Sequence, residues 1–161
     1  MNISIPKRLR KNRKALMLFE LLIGVLILGT LFGMGVPIYV NQLNKARIMK
    51  AVTDIHTFSK DIYEYYMNHE TFPESLAEVK RDQNLDPWGR PYEYLKIEGK
   101  SKKEVRRKWR KDRSLVPINS DFDLYSMGKD RKSQSALTAK VSRDDVVRAN
   151  NGTFIGLASK Y

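Results

Sequence analysis

Residues 16–40 read LMLFELLIGVLILGTLFGMGVPIYV, and the reading of this stretch decides the fold. It holds one acid, Glu20, and Leu21 to Val40 carries no charge at all. At about 1.5 Å rise per residue, roughly 20 residues of helix cross the hydrocarbon core of a bilayer. A carboxylate inside such a span costs roughly 2.5 kcal/mol or more, which makes Glu20 a candidate functional group. The plainer alternative is a signal-anchor whose Glu20 lies at headgroup level.

Upstream stands MNISIPKRLRKNRKA, with Lys7, Arg8, Arg10, Lys11, Arg13 and Lys14. These six cations supply half of the formal net charge of +12 and leave +6 for the rest of the chain. Positive charge before the first apolar span holds that end in the cytoplasm and sends the C-terminal part across. A secretory signal would have an apolar region of about 7–15 residues and a small-residue cleavage site after it. This run is longer, and Gly33-Met34-Gly35 fits such a site poorly, so the anchor stays attached. The 161 residues leave room for one modest domain beyond the anchor, and without cysteine it has no disulfide.

The apolar run continues as an amphipathic helix. Ile48, Val52, Ile55, Ile62 and Tyr66 recur at three- and four-residue steps, with Ser59 filling the missing turn. The spacing predicts one helix from Leu16 to Asn68. Gly33, Gly35 and Pro37 weaken its middle, because Gly costs about 1 kcal/mol per site and Pro about 3, so a kink or an unwound stretch is expected there. Beyond it, Glu74 to Val79 reads as a short helix, and Asp86-Pro87-Trp88-Gly89 suits a type I turn. Tyr92 to Ile97, Phe122 to Met127 and Thr153 to Leu157 read as strands, and Arg143 to Arg148 as a short helix. The fold class expected is α+β: a long N-terminal transmembrane and stalk helix with a small antiparallel β-sheet packed on its C-terminal half.

The N-terminus resembles that of type IV prepilins and of the pseudopilins of type II secretion. In that family a basic leader ends in a small residue, Glu stands fifth in the mature chain, and Pro usually stands twenty-second. With Leu16 as the first mature residue, Glu20 is the fifth and Pro37 the twenty-second. Ala15 replaces the usual Gly before the cut, and Leu16 the usual Phe after it. The likeness extends to the major pseudopilin through Phe72-Pro73, the turn Asp86 to Gly89, Pro91 to Tyr94, and Asp123-Leu124-Tyr125-Ser126-Met127-Gly128-Lys129-Asp130. After Asp130 it fades.

The resemblance implies a pilin-like division: leader 1–15, transmembrane and filament-core helix 16–40, amphipathic continuation 41–70, and a periplasmic loop and sheet domain 71–161. It also implies cleavage by prepilin peptidase between Ala15 and Leu16, N-methylation of Leu16, and Glu20 facing the amino terminus of a neighbouring copy. The subunit would polymerise with itself and with minor pseudopilins on an inner-membrane secretion platform, and serve protein export across the outer membrane. Gly33, Gly35 and Pro37 would mark the helix break used in assembly. Gly24, Gly29, Gly33 and Gly35 allow close helix packing, which together with polar pairing drives association in lipid.

Calcium is a further implication of the resemblance. Ca²⁺ takes six to eight hard oxygens, and Ser126, Asp130, Asp144 and Asp145 are the candidate ligands. The intervening loop brings Arg131, Lys132 and Lys140, which oppose a divalent ion. Alternatively, Asp144 and Asp145 favour the N-terminal dipole of a short helix. Residues 96–113 hold ten basic and three acidic residues. Within them Arg106, Arg107, Lys108, Trp109 and Arg110 suit an anionic lipid or nucleic-acid backbone, or else form a solvated hairpin extension. For catalysis the chain is poor: His56 and His69 are isolated, and His69-Glu70 lacks the second His of a zinc-protease motif. Three other readings stand beside the pseudopilin: a minor type IV pilin for adhesion, motility or DNA uptake; a membrane-anchored nucleic-acid-binding protein; and an anchored domain that does not assemble.

Overall fold

The computed structural model describes residues 7–101 and 108–161, with side chains from Leu16 onward. It has one N-terminal helix, α1 (Lys7–His69), and four strands: β1 (Glu93–Lys96), β2 (Phe122–Ser126), β3 (Val146–Ala149) and β4 (Phe154–Leu157). The strands form one antiparallel sheet in the order β1-β2-β3-β4. This is the α+β, pilin-like arrangement. By contacts the chain divides into residues 1–44 and 45–161.

In the first unit, α1 is helical through Gly33, Gly35 and Pro37, so no stretch is unwound where the glycines and proline led us to expect one. Proline removes one backbone donor, and the remaining i→i−4 bonds on either side carry the helix through it. The helix also begins at Lys7, upstream of Leu16. Its large apolar side chains from Leu16 to Val40 are all exposed.

The second unit is built on the remaining turns of α1. Ala51, Ile55, Phe58 and Ile62 are its buried stripe, flanked by half-buried Ile48, Val52, Tyr63 and Tyr66. The stripe meets Phe72, Leu76, Trp88 and Tyr92 from the loop and Phe122, Leu124 and Val146 from the sheet. Phe58 meets Tyr92 edge-on at 5.0 Å, and Phe72 lies 5.4 Å from Phe122. Such pairs add about 0.5–1.5 kcal/mol each beyond burial.

Strand alternation gives the opposite face different residues. Leu95 packs with Ile97 and Trp109. Val147, Ala149, Tyr125 and Phe154 pack with Ile118, Leu137 and Ala158. Helix α1 therefore covers one face of the sheet, and the long connections around β2 cover the other.

Two expected helices are absent. Glu74 to Val79 is a turn, held by Lys80 N–H on Ala77 O and Arg81 N–H on Leu76 O, with Lys80 at φ 57°. Of Arg143 to Arg148, Val146 onward belongs to β3; only a 3-10 turn, Lys140–Ser142, precedes it. All four β3 residues are buried between β2 and β4. Two β-branched residues there suit a pleated, paired surface better than a helix.

Candidate functional site

Glu20 lies one helical turn before Gly24, on a helix whose apolar side chains are exposed. It is itself exposed, and among the described residues it has no hydrogen bond or ion pair. A Cβ added at Gly24, Gly29, Gly33 or Gly35 would meet nothing within 4 Å, so these positions are open notches. Pro37 lies in the same stretch of α1. The backbone of Ala15 belongs to α1, and Leu16 is exposed at the start of the apolar stretch. The side chains of the leader lie outside the described residues.

In the second unit two sequence motifs meet. The carboxylate of Asp86 accepts from Trp88 N–H at 3.0 Å and Arg90 N–H at 2.9 Å, and Gly89 N–H closes the turn on Asp86 O at 2.9 Å. Its second oxygen, Oδ2, accepts from Ser126 Oγ at 2.5 Å. Ser126 Oγ in turn accepts from Gly128 N–H at 3.1 Å. Buried Asp86 thus ties the Asp-Pro-Trp-Gly turn to the end of β2. Gly128, at φ 67°, passes so close to Asp144 that an added Cβ would lie 2.2 Å from its carbonyl oxygen.

Each buried guanidinium has an acid. Arg148, on β3, donates to both oxygens of Asp121 at 2.9 and 2.6 Å, to Phe122 O at 3.0 Å and to Tyr63 Oη at 2.9 Å. Burial pushes the Asp121 carboxyl up, but Arg148, Phe122 N–H and Tyr63 outweigh it and leave the group below its usual value. Arg110 pairs with Asp145, and its main-chain N–H donates to Asp123 Oδ2 at 2.6 Å. Burial pushes Asp145 and Asp123 each up to about 6; Ser133 and Arg110 oppose it at Asp145, and Arg110 N–H and Asn119 oppose it at Asp123. Sequence reasoning missed Arg148, Asp121 and Tyr63 as a connected group. The available signal was Val146-Val147-Arg148-Ala149, a cation inside an apolar run.

The residues expected to contact an anion are split. Arg106 and Arg107 lie outside the described residues. Lys108 is exposed, as are Lys111 and Arg113 after it. Trp109 and Arg110, however, are only 6% and 1% exposed. This corrects the surface reading of those two: Trp109 fills an apolar cluster with Ile97 and Leu95, and the Arg110 charge is consumed inside the fold.

The four calcium candidates do not converge. Ser126 faces Asp86. Asp144 Oδ2 accepts from Asp130 N–H at 2.9 Å, and Asp130 Oδ1 from Lys132 N–H at 2.8 Å. Asp145 Oδ2 is held by Arg110 and Ser133; its other oxygen is buried without a partner among the described residues. Among the described residues no group of three or more His, Cys, Asp or Glu is arranged to hold a metal. At Asp145 the one oxygen left over lies beside a guanidinium, a poor start for a shell of six to eight oxygens.

No family model matches the chain, and no solved structure matches it. The type II secretion system core protein G of Pseudomonas aeruginosa is 25% identical over 144 residues, covering 76% of this chain and 88% of that protein. The similarity supports a pseudopilin-like relationship and, with one helix among the described residues long and apolar enough to cross a membrane, fits a single-pass inner-membrane protein.

Two outcomes follow for the second unit, both measured on the full chain in detergent. Gly128→Ala should cost at least about 3 kcal/mol in denaturant unfolding, since backbone must move as well as adopt a strained φ. Gly89→Ala, with open space around its added Cβ, should cost only about 1–2 kcal/mol of strain. The pH profile should be arched. Asp123 and Asp145 bind protons more tightly folded than unfolded, so their contribution falls as pH rises from their usual value of 3.8 through about 6. Asp121 is shifted the other way, as is Glu74 through Lys100 and Lys96, and their contributions are lost as pH falls through the usual carboxylate range. The melting temperature should therefore rise from pH 7 to about 5 and fall below about 4; a steady fall from neutrality downward would contradict this.

Proposed function

We propose that the chain is a pseudopilin-like structural subunit of a type II secretion system. It is cut by prepilin peptidase between Ala15 and Leu16 and N-methylated on Leu16. It then polymerises through residues 16–40 into a short filament, with minor pseudopilins and an inner-membrane platform as partners. Its N-terminus faces the cytoplasm and residues 71–161 face the periplasm. The role is mechanical assembly, not catalysis.

The carrying observation is Glu20: an acid with no partner among the described residues, on an exposed apolar helix, fifth in the expected mature chain. In a dry helical core a carboxylate must neutralise or find a cation. The α-amino group created at Leu16 of a neighbouring copy is a cation at a matching depth. Open glycine notches let the helices approach closely enough for that pairing. The similarity to the Pseudomonas aeruginosa core protein G supports the same reading. The nucleic-acid-binding alternative is weakened, because Trp109 and Arg110 are turned inward.

Intact-mass measurement of membrane-extracted protein should show a chain beginning at Leu16 and carrying one methyl group. Glu20→Leu should insert normally, since it removes the membrane penalty, and should still be cut. It leaves the neighbour's amine unpaired, at roughly 3–5 kcal/mol by the rule for broken buried pairs, or more than about a hundredfold in association. The variant should therefore be missing from sheared or cross-linked filaments, and secretion should fail. An uncut wild-type chain, or wild-type filament yield from Glu20→Leu, would refute the proposal.

A further inference from the structure

We propose that Arg110 is a built-in cation that locks the connection 127–145 over the outer face of the sheet, so that this connection folds without a divalent metal. The guanidinium gathers three kinds of oxygen that a hard cation would take. One is the carboxylate of Asp145, to which Nη2 donates. Nη1 donates to the Ser133 hydroxyl at 2.5 Å and to Gln134 O at 2.7 Å. Ser133 Oγ itself donates to Asp145 Oδ2 at 2.5 Å, so the oxygens are bound to one another as well as to the cation. Arg110 is 1% exposed and Asp145 is fully buried.

The guanidinium is held in place independently of the loop it binds. Its plane lies over the Tyr125 ring, 4.1 Å from the centroid. Its main-chain N–H is on Asp123, and its carbonyl accepts from Ile118 N–H at 3.1 Å. The next residue continues the attachment: Lys111 N–H donates to Ser135 O at 2.8 Å, and Lys111 O accepts from Leu137 N–H at 2.9 Å. The segment that supplies the cation is therefore stitched along the connection it locks.

A guanidinium suits this position because its donors are fixed in a planar fork and its charge does not titrate away in proteins. Being covalently part of the chain, it needs no ion at any concentration. Of the neighbouring acids, Asp144 Oδ2 accepts one backbone N–H, from Asp130, and Asp130 Oδ1 accepts one from Lys132. A divalent ion at Asp145 would share the pocket with a like charge, the Arg110 guanidinium.

Hydrogen–deuterium exchange of the full chain in detergent, read over residues 127–145, tests this with calcium chloride, magnesium chloride or a chelator present. In the wild type the exchange should be the same in all three. Arg110→Ala should exchange there at least about tenfold faster in chelator, as expected of a local opening. Millimolar calcium, but not magnesium, should slow it again, because three oxygens are left facing a missing cation. Arg110→Lys keeps the charge without the fork, and should give an intermediate rate with β2 and β3 as protected as in the wild type. Should Arg110→Ala fail to fold, wild-type loop protection in Arg110→Lys would overturn the proposal. So would calcium protection of the wild-type loop, an Arg110→Ala loop as slow as wild type, or a fast one that ignores calcium.

Discussion

A charged group enclosed between a helix and a sheet keeps its place only if every partner is present, because breaking such a pair costs about 3–5 kcal/mol. Arg148 is that group here. Its fork reaches Tyr63 on α1, Asp121 and Phe122 O at the start of β2, and its plane lies over the Phe122 ring at 3.9 Å from the centroid. Three sequence-distant segments are thereby held at one point. An apolar contact would fix their separation only loosely, whereas a bidentate pair specifies both distance and orientation. Tyr63 ties α1 to this pair, donating to Asp121 Oδ2 at 2.7 Å while accepting from Arg148, and the apolar stripe of Ala51, Ile55, Phe58 and Ile62 packs on the rest of that sheet face.

The second constraint is that the four short strands expose two faces, and one helix covers only one of them. Val147, Ala149 and Leu95 would face water unless something else were laid over them. The connections after β1 and β2 supply the cover, but they are rich in cations that do not bury readily. The solution sorts them by position. Trp109 and Arg110 turn inward, one into an apolar cluster and the other onto a buried acid, while Lys108, Lys111 and Arg113 stay exposed. A run that reads as a uniform charged surface is thus an alternation of anchors and solvated cations.

This explains which parts were legible in the sequence. The long helix, the stripe on its second half and three of the four strands follow from local periodicity, which survives because one face is apolar. The Asp86 turn was readable because Asp, Pro and Gly at those spacings each satisfy a backbone need. Strand β3 was not readable. Two acids before Val146 look like a helix start, and Arg148 looks like a solvent-facing residue. Both impressions reverse only when Asp145 is matched by Arg110, 35 residues earlier, and Arg148 by Asp121, 27 residues earlier. Long-range charge pairing leaves no periodic trace. The bond between Asp86 and Ser126 is hidden for the same reason, although each of its motifs was visible alone.

Residues 16–40 pose a different problem from the second unit. There, exposed apolar surface runs the length of the stretch with no partner among the described residues. In water such a surface would aggregate; in lipid it is at rest, but lipid gives helices no hydrophobic reason to associate. Association then requires close packing at small residues and a polar interaction that lipid cannot replace. Glycine notches supply the first, and Glu20 is the group in this stretch that fits the second. Under the proposed assembly, an acid that is costly for a lone helix in the membrane would become favourable once a neighbour's amine met it, and that cost to the monomer would be the drive to assemble.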